Sequence, residues 1–188
     1  MGVMALPAQA QDTATEIRQL LEQRDAEIKN VIGETGTPSG AERERLKGLI
    51  TGLIDFRAMS RDVLGDHWQE LNSSQRNEFV DVFGDVVRLQ SLSNLEPYRA
   101  RVTYEDITVK NGEAHVTTST QYRGDRIVVE YDLLRSGGEW RARDIIIDEV
   151  STVSGYQRSF RNVIRQRGFD GLMETLRDRR EKAEQEQS

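Results

Sequence analysis

Two spacings of apolar residues divide the chain into helix-forming and strand-forming parts. Up to Pro97, apolar residues recur about every 3.6 positions, a spacing that predicts amphipathic helices. From Arg99 to Val150 the spacing falls to two, which predicts strands whose alternate residues lie on opposite faces. The helical spacing returns from Ser154 onwards. Helices, then strands, then helices in this order indicate an α+β fold.

The N-terminal helical part divides at turn-forming residues. A helix begins at Thr13, the Gly-, Thr- and Ser-rich stretch 33–40 predicts a loop, and Asp55-Phe56 interrupts the helix that follows. Ser60 is predicted to cap the next short helix, and Ser73 or Ser74 to cap the long helix that ends before Pro97. The apolar stripes of this part are Ile17, Leu20, Leu21, Ile28, Val31, Ile32, Leu46, Leu49, Ile50, Leu53, Ile54, Phe79, Val82, Phe83, Val86 and Val87.

Three turn signals divide the strand-forming part into four strands. They are Asn111-Gly112, Gly124-Asp125 and Gly137-Gly138, and the first is typical of a type I′ hairpin turn. The fourth strand runs from Trp140 to Val150 and changes phase within itself, which predicts a β-bulge near Arg143-Asp144. We therefore expect a four-stranded antiparallel meander, curved, with helices packed on one face.

The composition of the chain excludes several kinds of functional site. A chain of 188 residues fits a single domain with a real core. It has no cysteine, which excludes disulfides, thiolate catalysis and cysteine-based zinc sites. Its net charge of −6 argues against general affinity for nucleic-acid phosphates, and no apolar run is long enough for a membrane-spanning helix.

The first ten residues differ in composition from the rest of the chain. They are apolar and uncharged and end in Ala8-Gln9-Ala10, the small-x-small pattern of a signal-peptidase site. We therefore expect residues 1–10 to be a signal-peptide remnant, residues 11–176 to form one domain, and residues 177–188 to be a charged C-terminal tail. An ordinary Ala-rich N-terminus remains the alternative to the remnant.

Candidate catalytic groups are scattered. His67 and His115 lie in different elements without a metal-binding partner, so both are read as surface histidines. Asp144, Asp148 and Glu149 flank the isoleucine run of the fourth strand. Asp144 could serve as a general base in a pocket, but a solvent-facing strand edge is the favoured interpretation.

Arginine is dense near the C-terminus. The residues are Arg158, Arg161, Arg165, Arg167, Arg177, Arg179 and Arg180. They could form a site for phosphate or an acidic partner, or they could belong to a solvated helix of mixed charge, since Asp and Glu are interleaved with them.

A large set of aromatic and aliphatic residues is compatible with either a filled core or a hollow one. A filled core is the default, but the strand faces mix threonine with tyrosine and valine, which a tightly packed core uses sparingly. Periodicity does not distinguish between the two.

A set of short motifs occurs in a fixed order between Thr13 and Leu176. The motif residues are Asp55-Phe56, Met59-Ser60-Arg61, Val63-Leu64-Gly65, Trp68, Leu71, Gln75-Arg76, Phe79, Phe83, Trp140, Asp144-Ile145-Ile146, Val150-Ser151, Tyr156, Phe160, Gly171-Leu172 and Leu176. Their order resembles one family, the MlaC-type periplasmic phospholipid shuttles, also called toluene-tolerance auxiliary transport proteins. The chain departs from that family at Glu149, since the family commonly has glycine before the Val-Ser pair.

The resemblance implies a nuclear-transport-factor-like sheet whose helices enclose an apolar cavity for the acyl chains of a phospholipid. It implies a periplasmic carrier that moves lipid between an inner-membrane ABC transporter complex with an MCE-type subunit and an outer-membrane lipoprotein complex. It implies no catalysis, no cofactor and no metal, and no stable insertion into a membrane.

The lipid-binding residues expected on this reading come from both layers. They are Phe56, Met59, Val63, Phe79, Phe83, Val86, Val102, Tyr104, Val116, Ile127, Val129, Tyr131, Ile147, Tyr156 and Phe160. Two other functions stay open: an enzyme on a cone-shaped sheet that uses Asp144 or a buried tyrosine, and a protein-interaction module with a filled core and a charged C-terminal helix.

Overall fold

The computed structural model describes residues 8–33 and 38–186, and this part of the chain holds six α-helices and five strands. The expected signal-peptide remnant falls mostly on residues 1–7, outside the described residues, and its last three residues begin the first helix. The helices are α1 (Ala8–Ile32), α2 (Gly40–Thr51), α3 (Phe56–Leu64), α4 (His67–Glu70), α5 (Ser73–Ser93) and α6 (Thr152–Glu186), with a 3₁₀ turn at Glu96–Arg99. The strands are β1 (Val102–Lys110), β2 (Glu113–Tyr122), β3 (Asp125–Ser136), β4 (Glu139–Ile147) and β5 (Val150–Ser151).

The strands form one antiparallel meander in the order β1-β2-β3-β4-β5. The α+β class and the curved open sheet are confirmed, but the prediction of four strands was wrong. The turn into β5 is made by Asp148 and Glu149, at φ 47° and 66°, without a glycine to mark it. Asp148 is held there because its N–H donates to the Val128 carbonyl (2.9 Å) and its carboxylate accepts from the Val128 N–H (2.9 Å).

The predicted bulge in β4 is confirmed. Asp132 pairs with Asp144 and Leu133 with Ala142, so Arg143 is the extra residue on β4. The bulge brings Ile145 and Ile147 onto the same face as Ala142, because one inserted residue restores the alternation.

The residues that cap α3 and α5 are not the serines predicted from the sequence. The N-cap of α3 is Asp55, whose side chain accepts from the Ala58 N–H (2.8 Å), and Ser60 lies buried inside that helix. The N-cap of α5 is Asn72, which forms a reciprocal capping box with Gln75. In both cases a residue before the predicted cap offers a better-placed acceptor.

The helices lie on one face of the sheet and build two adjoining layers. Ile17 and Leu21 of α1 pack on Val116, Leu133 and neighbouring residues of the sheet. Helices α3, α5 and α6 form a second cluster, and Ile145 of β4 contacts both clusters.

The free edge of β4 is closed by the segment between α2 and α3. The Ala142 N–H donates to the Leu53 carbonyl (2.6 Å), and the Asp55 N–H donates to the Ala142 carbonyl (2.9 Å). The start of α3 is therefore fixed directly to the sheet.

Candidate functional site

The helix-covered face of the sheet carries an apolar strip that is buried at one end and accessible at the other. Val116 pairs with Tyr131 and Tyr131 with Ile145 across β2, β3 and β4. Val116 is fully buried beneath α1, whereas Ile147, two residues beyond Ile145, has an exposed fraction of 49%. The strip therefore runs from a covered centre to an open end, where Val150 of β5 is 62% exposed.

Tyr131 lies in the middle of this strip and combines two properties. Burial raises the pKa of Tyr131 to about 12, with the nearby Tyr98 and Asp25 adding to the effect. The side chain nevertheless keeps accessible surface. Tyr131 is therefore largely covered by protein but not sealed from solvent.

Two other tyrosines, Tyr98 and Tyr104, lie close enough to Tyr131 to affect its electrostatics or be affected by it, and a third, Tyr156, lies in the helical cluster. Burial raises the pKa of Tyr98, of Tyr104 and of Tyr156, and each keeps some accessible surface. The Tyr156 hydroxyl donates to the side-chain carbonyl of Gln90. These phenols therefore stay protonated at neutral pH.

The predicted lining residues of the helical layer are packed against one another. Phe79 and Phe83 stack with ring centroids 5.4 Å apart, and the Tyr156 ring meets Phe83 edge-on at 5.0 Å. The residues of this set that are buried in the helical cluster are Phe56, Met59, Val63, Phe79, Phe83, Val86 and Phe160. They form a filled wall behind the accessible strip.

The other predicted lipid-binding residues differ in how far they are buried. Val116 is buried under α1. Those that keep accessible surface are Val102, Tyr104, Ile127, Val129, Tyr131, Ile147 and Tyr156. The predicted lining set omits Ile145 and Val150 of the strip and Tyr98 beside it. The predicted bulge gives a signal for Ile145, since it puts that residue in phase with Ile147.

Asp144, the candidate general base, is occupied by structural hydrogen bonds. One carboxylate oxygen accepts from the Ile145 and Val153 N–H groups (2.8 and 3.0 Å), and the other accepts from the Ser151 hydroxyl. Ser151 in turn accepts from the Ser154 N–H (2.9 Å), so this pair caps the start of α6. These contacts give Asp144 a role in joining β4 to α6.

The two histidines lie away from the strip. His115 Nδ1 is 2.8 Å from Asp132 and Nε2 is 3.3 Å from Glu130, and the hydrogen bond to Asp132 is the main cause that raises the pKa of His115. His67 contacts Glu70 (3.2 Å). Within residues 8–33 and 38–186 no group of three or more acidic, histidine or cysteine residues is placed to hold a metal ion. Over the same residues, no helix has the length and apolar character needed to cross a bilayer.

A family model for the MlaC protein matches residues 11–178. The chain belongs to the MlaC family. Among solved structures, the fold is similar to that of a phospholipid-binding protein from Ralstonia solanacearum, determined in complex with a phospholipid. The TM-score is 0.74 at 18% sequence identity, over 90% of this chain and 97% of that one, so the two proteins share a fold. No curated protein matches the chain.

Proposed function

We propose that the protein binds a phospholipid, with its acyl chains between the apolar strip of the sheet and the helical wall, and carries it across the periplasm. The observation that carries the proposal is the half-open strip at Val129, Tyr131 and Ile147, which leaves apolar surface accessible on the helix-covered face of the sheet. Membership in the MlaC family and the phospholipid bound by the Ralstonia solanacearum protein support the same ligand class.

The energetics suit a carrier without catalytic groups. Burying an acyl chain of about sixteen carbons at ~0.8 kcal/mol per CH₂ contributes on the order of 12 kcal/mol before entropic costs. A dry apolar wall therefore suffices for retention, and the headgroup can stay in solvent at the open end near Ile147. The structural hydrogen bonds of Asp144 favour this function over the enzyme alternative.

We further propose that lipid is exchanged with an inner-membrane ABC transporter complex containing an MCE-type subunit and with an outer-membrane lipoprotein complex. Family membership supports this. Partners are needed for physical reasons as well, since unassisted exit would expose the acyl chains to water.

Mass spectrometry tests lipid binding directly. Protein purified without detergent from a bacterial host should have a native mass above that of the polypeptide by one or two phospholipids, and the excess should be lost on denaturation. The polypeptide mass alone, even after incubation with liposomes, would contradict the proposal and favour the protein-interaction module.

The substitution Val129→Arg should abolish lipid retention. Val129 lies on the strip, paired with Thr118 on one side and Ile147 on the other, so a guanidinium there would be desolvated by the acyl chains. Val128→Arg is the matched control, because the neighbouring residue of the same strand points to the opposite face. We expect the native-mass excess to persist in Val128→Arg, and circular dichroism should report folded protein for both; equal lipid content in both variants would remove Val129 from the site.

A further inference from the structure

Helix α6 consists of two parts with different charge patterns. Residues 152–167 contain four arginines and no Lys, Asp or Glu, so this segment is strongly basic within a chain of net charge −6. After the break at Gly168, acidic and basic residues alternate along the helix. The sequence left two interpretations of these arginines open, a site for phosphate or an acidic partner and a solvated helix of mixed charge. Each interpretation suits a different half of this one helix.

The second half is a solvated helix of mixed charge. Arg177 is paired with Glu78 of α5, and Arg180 lies 3.5 Å from Asp85 of the same helix. Arg167, at the break, pairs with Glu174. The first two ion pairs fasten α6 to α5, the third lies within α6, and all three leave those arginines engaged.

The first half is different. Arg158, Arg161 and Arg165 are exposed, and we call them the arginine stripe. Among the described residues, Arg158 and Arg161 have no ion pair or hydrogen bond, and Arg165 bonds only to the side-chain carbonyl of Asn162 (3.1 Å). The stripe therefore carries three cations that no carboxylate of the described chain neutralises.

The stripe has a fixed direction and length. Its residues are spaced i, i+3, i+7, which places them within about 60° of one another on a helix, along roughly 10 Å. Phe160, Val163 and Ile164 on the other side of α6 pack into the helical cluster, so α6 cannot rotate to bury the arginines. The stripe therefore presents three guanidinium groups outward on a rigid support.

From this geometry we propose that the arginine stripe is a docking surface for a partner protein that carries a matching row of carboxylates. Guanidinium groups form paired hydrogen bonds with carboxylates, and a rigid row of fixed spacing fits a folded protein surface. An anionic bilayer fits less well, because the negative charge of the chain as a whole is repelled by an extended surface of the same sign. The stripe shares no residue with the apolar strip, so this inference does not depend on lipid binding.

The probe is a pair of designed helical peptides that differ at three positions spaced i, i+3, i+7. One peptide has glutamate at these positions and the other has glutamine. In ¹⁵N-labelled protein, the glutamate peptide should shift the Nε–H resonances of Arg158, Arg161 and Arg165, and the glutamine peptide should not. Binding should weaken when salt is raised from 20 to 200 mM, because exposed ion pairs are screened.

Two triple variants with equal change in charge separate the stripe from general electrostatics. The first variant combines Arg158→Gln, Arg161→Gln and Arg165→Gln, and its affinity for the glutamate peptide should fall by at least about fivefold. The second variant combines Arg45→Gln, Arg101→Gln and Lys110→Gln at exposed sites elsewhere, and its affinity for the peptide should be unchanged. Both variants should keep their fold and their lipid content.

Three outcomes would overturn the proposal. Equal binding of the two peptides would show that carboxylates are not recognised, and equal loss in the two variants would show that only overall charge matters. Stripe-dependent flotation with phosphatidylglycerol vesicles, without peptide binding, would assign the surface to a bilayer instead.

Discussion

At the scale of single residues, Asp55 links local structure to the sheet. Its carboxylate caps α3 and its N–H donates to Ala142 of β4. Burial alone would raise the pKa of Asp55, but hydrogen bonds from the Ala58 N–H and the Ser136 side chain, together with the charge of Arg141, lower it. The ionised form is therefore the one that stabilises the fold.

Asp55→Ala should lower the free energy of unfolding by about 1 kcal/mol at pH 7, since an N-cap is lost. Folding lowers the pKa of this carboxyl, so its ionised form stabilises the folded state fully at pH values above the unfolded pKa of about 3.9. That stabilisation is lost as the pH falls through the pKa of the folded state. The difference between wild type and variant in urea unfolding should therefore shrink at pH 3. Asp55→Asn keeps a capping side chain and should lose less at pH 7; an equal loss would contradict the capping role.

At the scale of elements, the break in α6 separates the arginine stripe from the half that is paired with α5. Gly168 has φ 71° and ψ −177°, a region that only glycine adopts readily. A Cβ there would meet no atom within 4 Å, so the constraint on this position comes from the backbone alone.

Gly168→Ala should destabilise the protein by about 1–3 kcal/mol through that backbone strain. Gly155→Ala is the matched control, because Gly155 lies in the regular part of α6 and also has open space around it. The control should stabilise by roughly 0.5–1 kcal/mol, as alanine favours helix over glycine. Denaturant unfolding measures both, and opposite signs for the two variants are the expected result.

At the scale of the whole molecule, two layers share a boundary. The helical wall of α3, α5 and α6 and the α1-covered sheet meet at Ile145, and the accessible strip lies beside that contact. A ligand between the layers would contact both of them and stabilise the folded state as a unit.

Removing bound lipid should therefore lower the Tm. A ligand present at about a hundred times its Kd stabilises by ~2.7 kcal/mol, which corresponds to roughly 5–10 °C for a chain of this size. Differential scanning calorimetry before and after delipidation measures the shift, and adding phospholipid back should restore it. The Tm of the Val129→Arg variant should not rise when phospholipid is added. A rise equal to that of the wild type would place the binding site elsewhere.

Much of the fold could be predicted from the spacing of apolar residues. The change of period near Arg99 located the sheet, and the phase slip between Ala142 and Ile145 located the bulge. Strand β5 was missed because Asp148 and Glu149 make its turn in a conformation that usually requires glycine. Contacts with Val128, distant in sequence, hold that turn in place.

The site was harder to predict than the fold. Phe83 and Val129 both lie on apolar faces, yet Phe83 is covered by aromatic rings of α6 and Val129 keeps accessible surface. Periodicity identifies the side of an element that faces inward, but it does not say whether another side chain fills the space opposite. That difference depends on how the layers are spaced.

The backbone contact between the α2–α3 segment and β4 also constrains the order in which the chain folds. Leu53 and Asp55 pair with Ala142, which is far along the chain and follows three other strands. Contacts between distant residues form slowly because a long loop must close first. We therefore expect α3 to become fixed late in folding, only after the meander has assembled as far as β4.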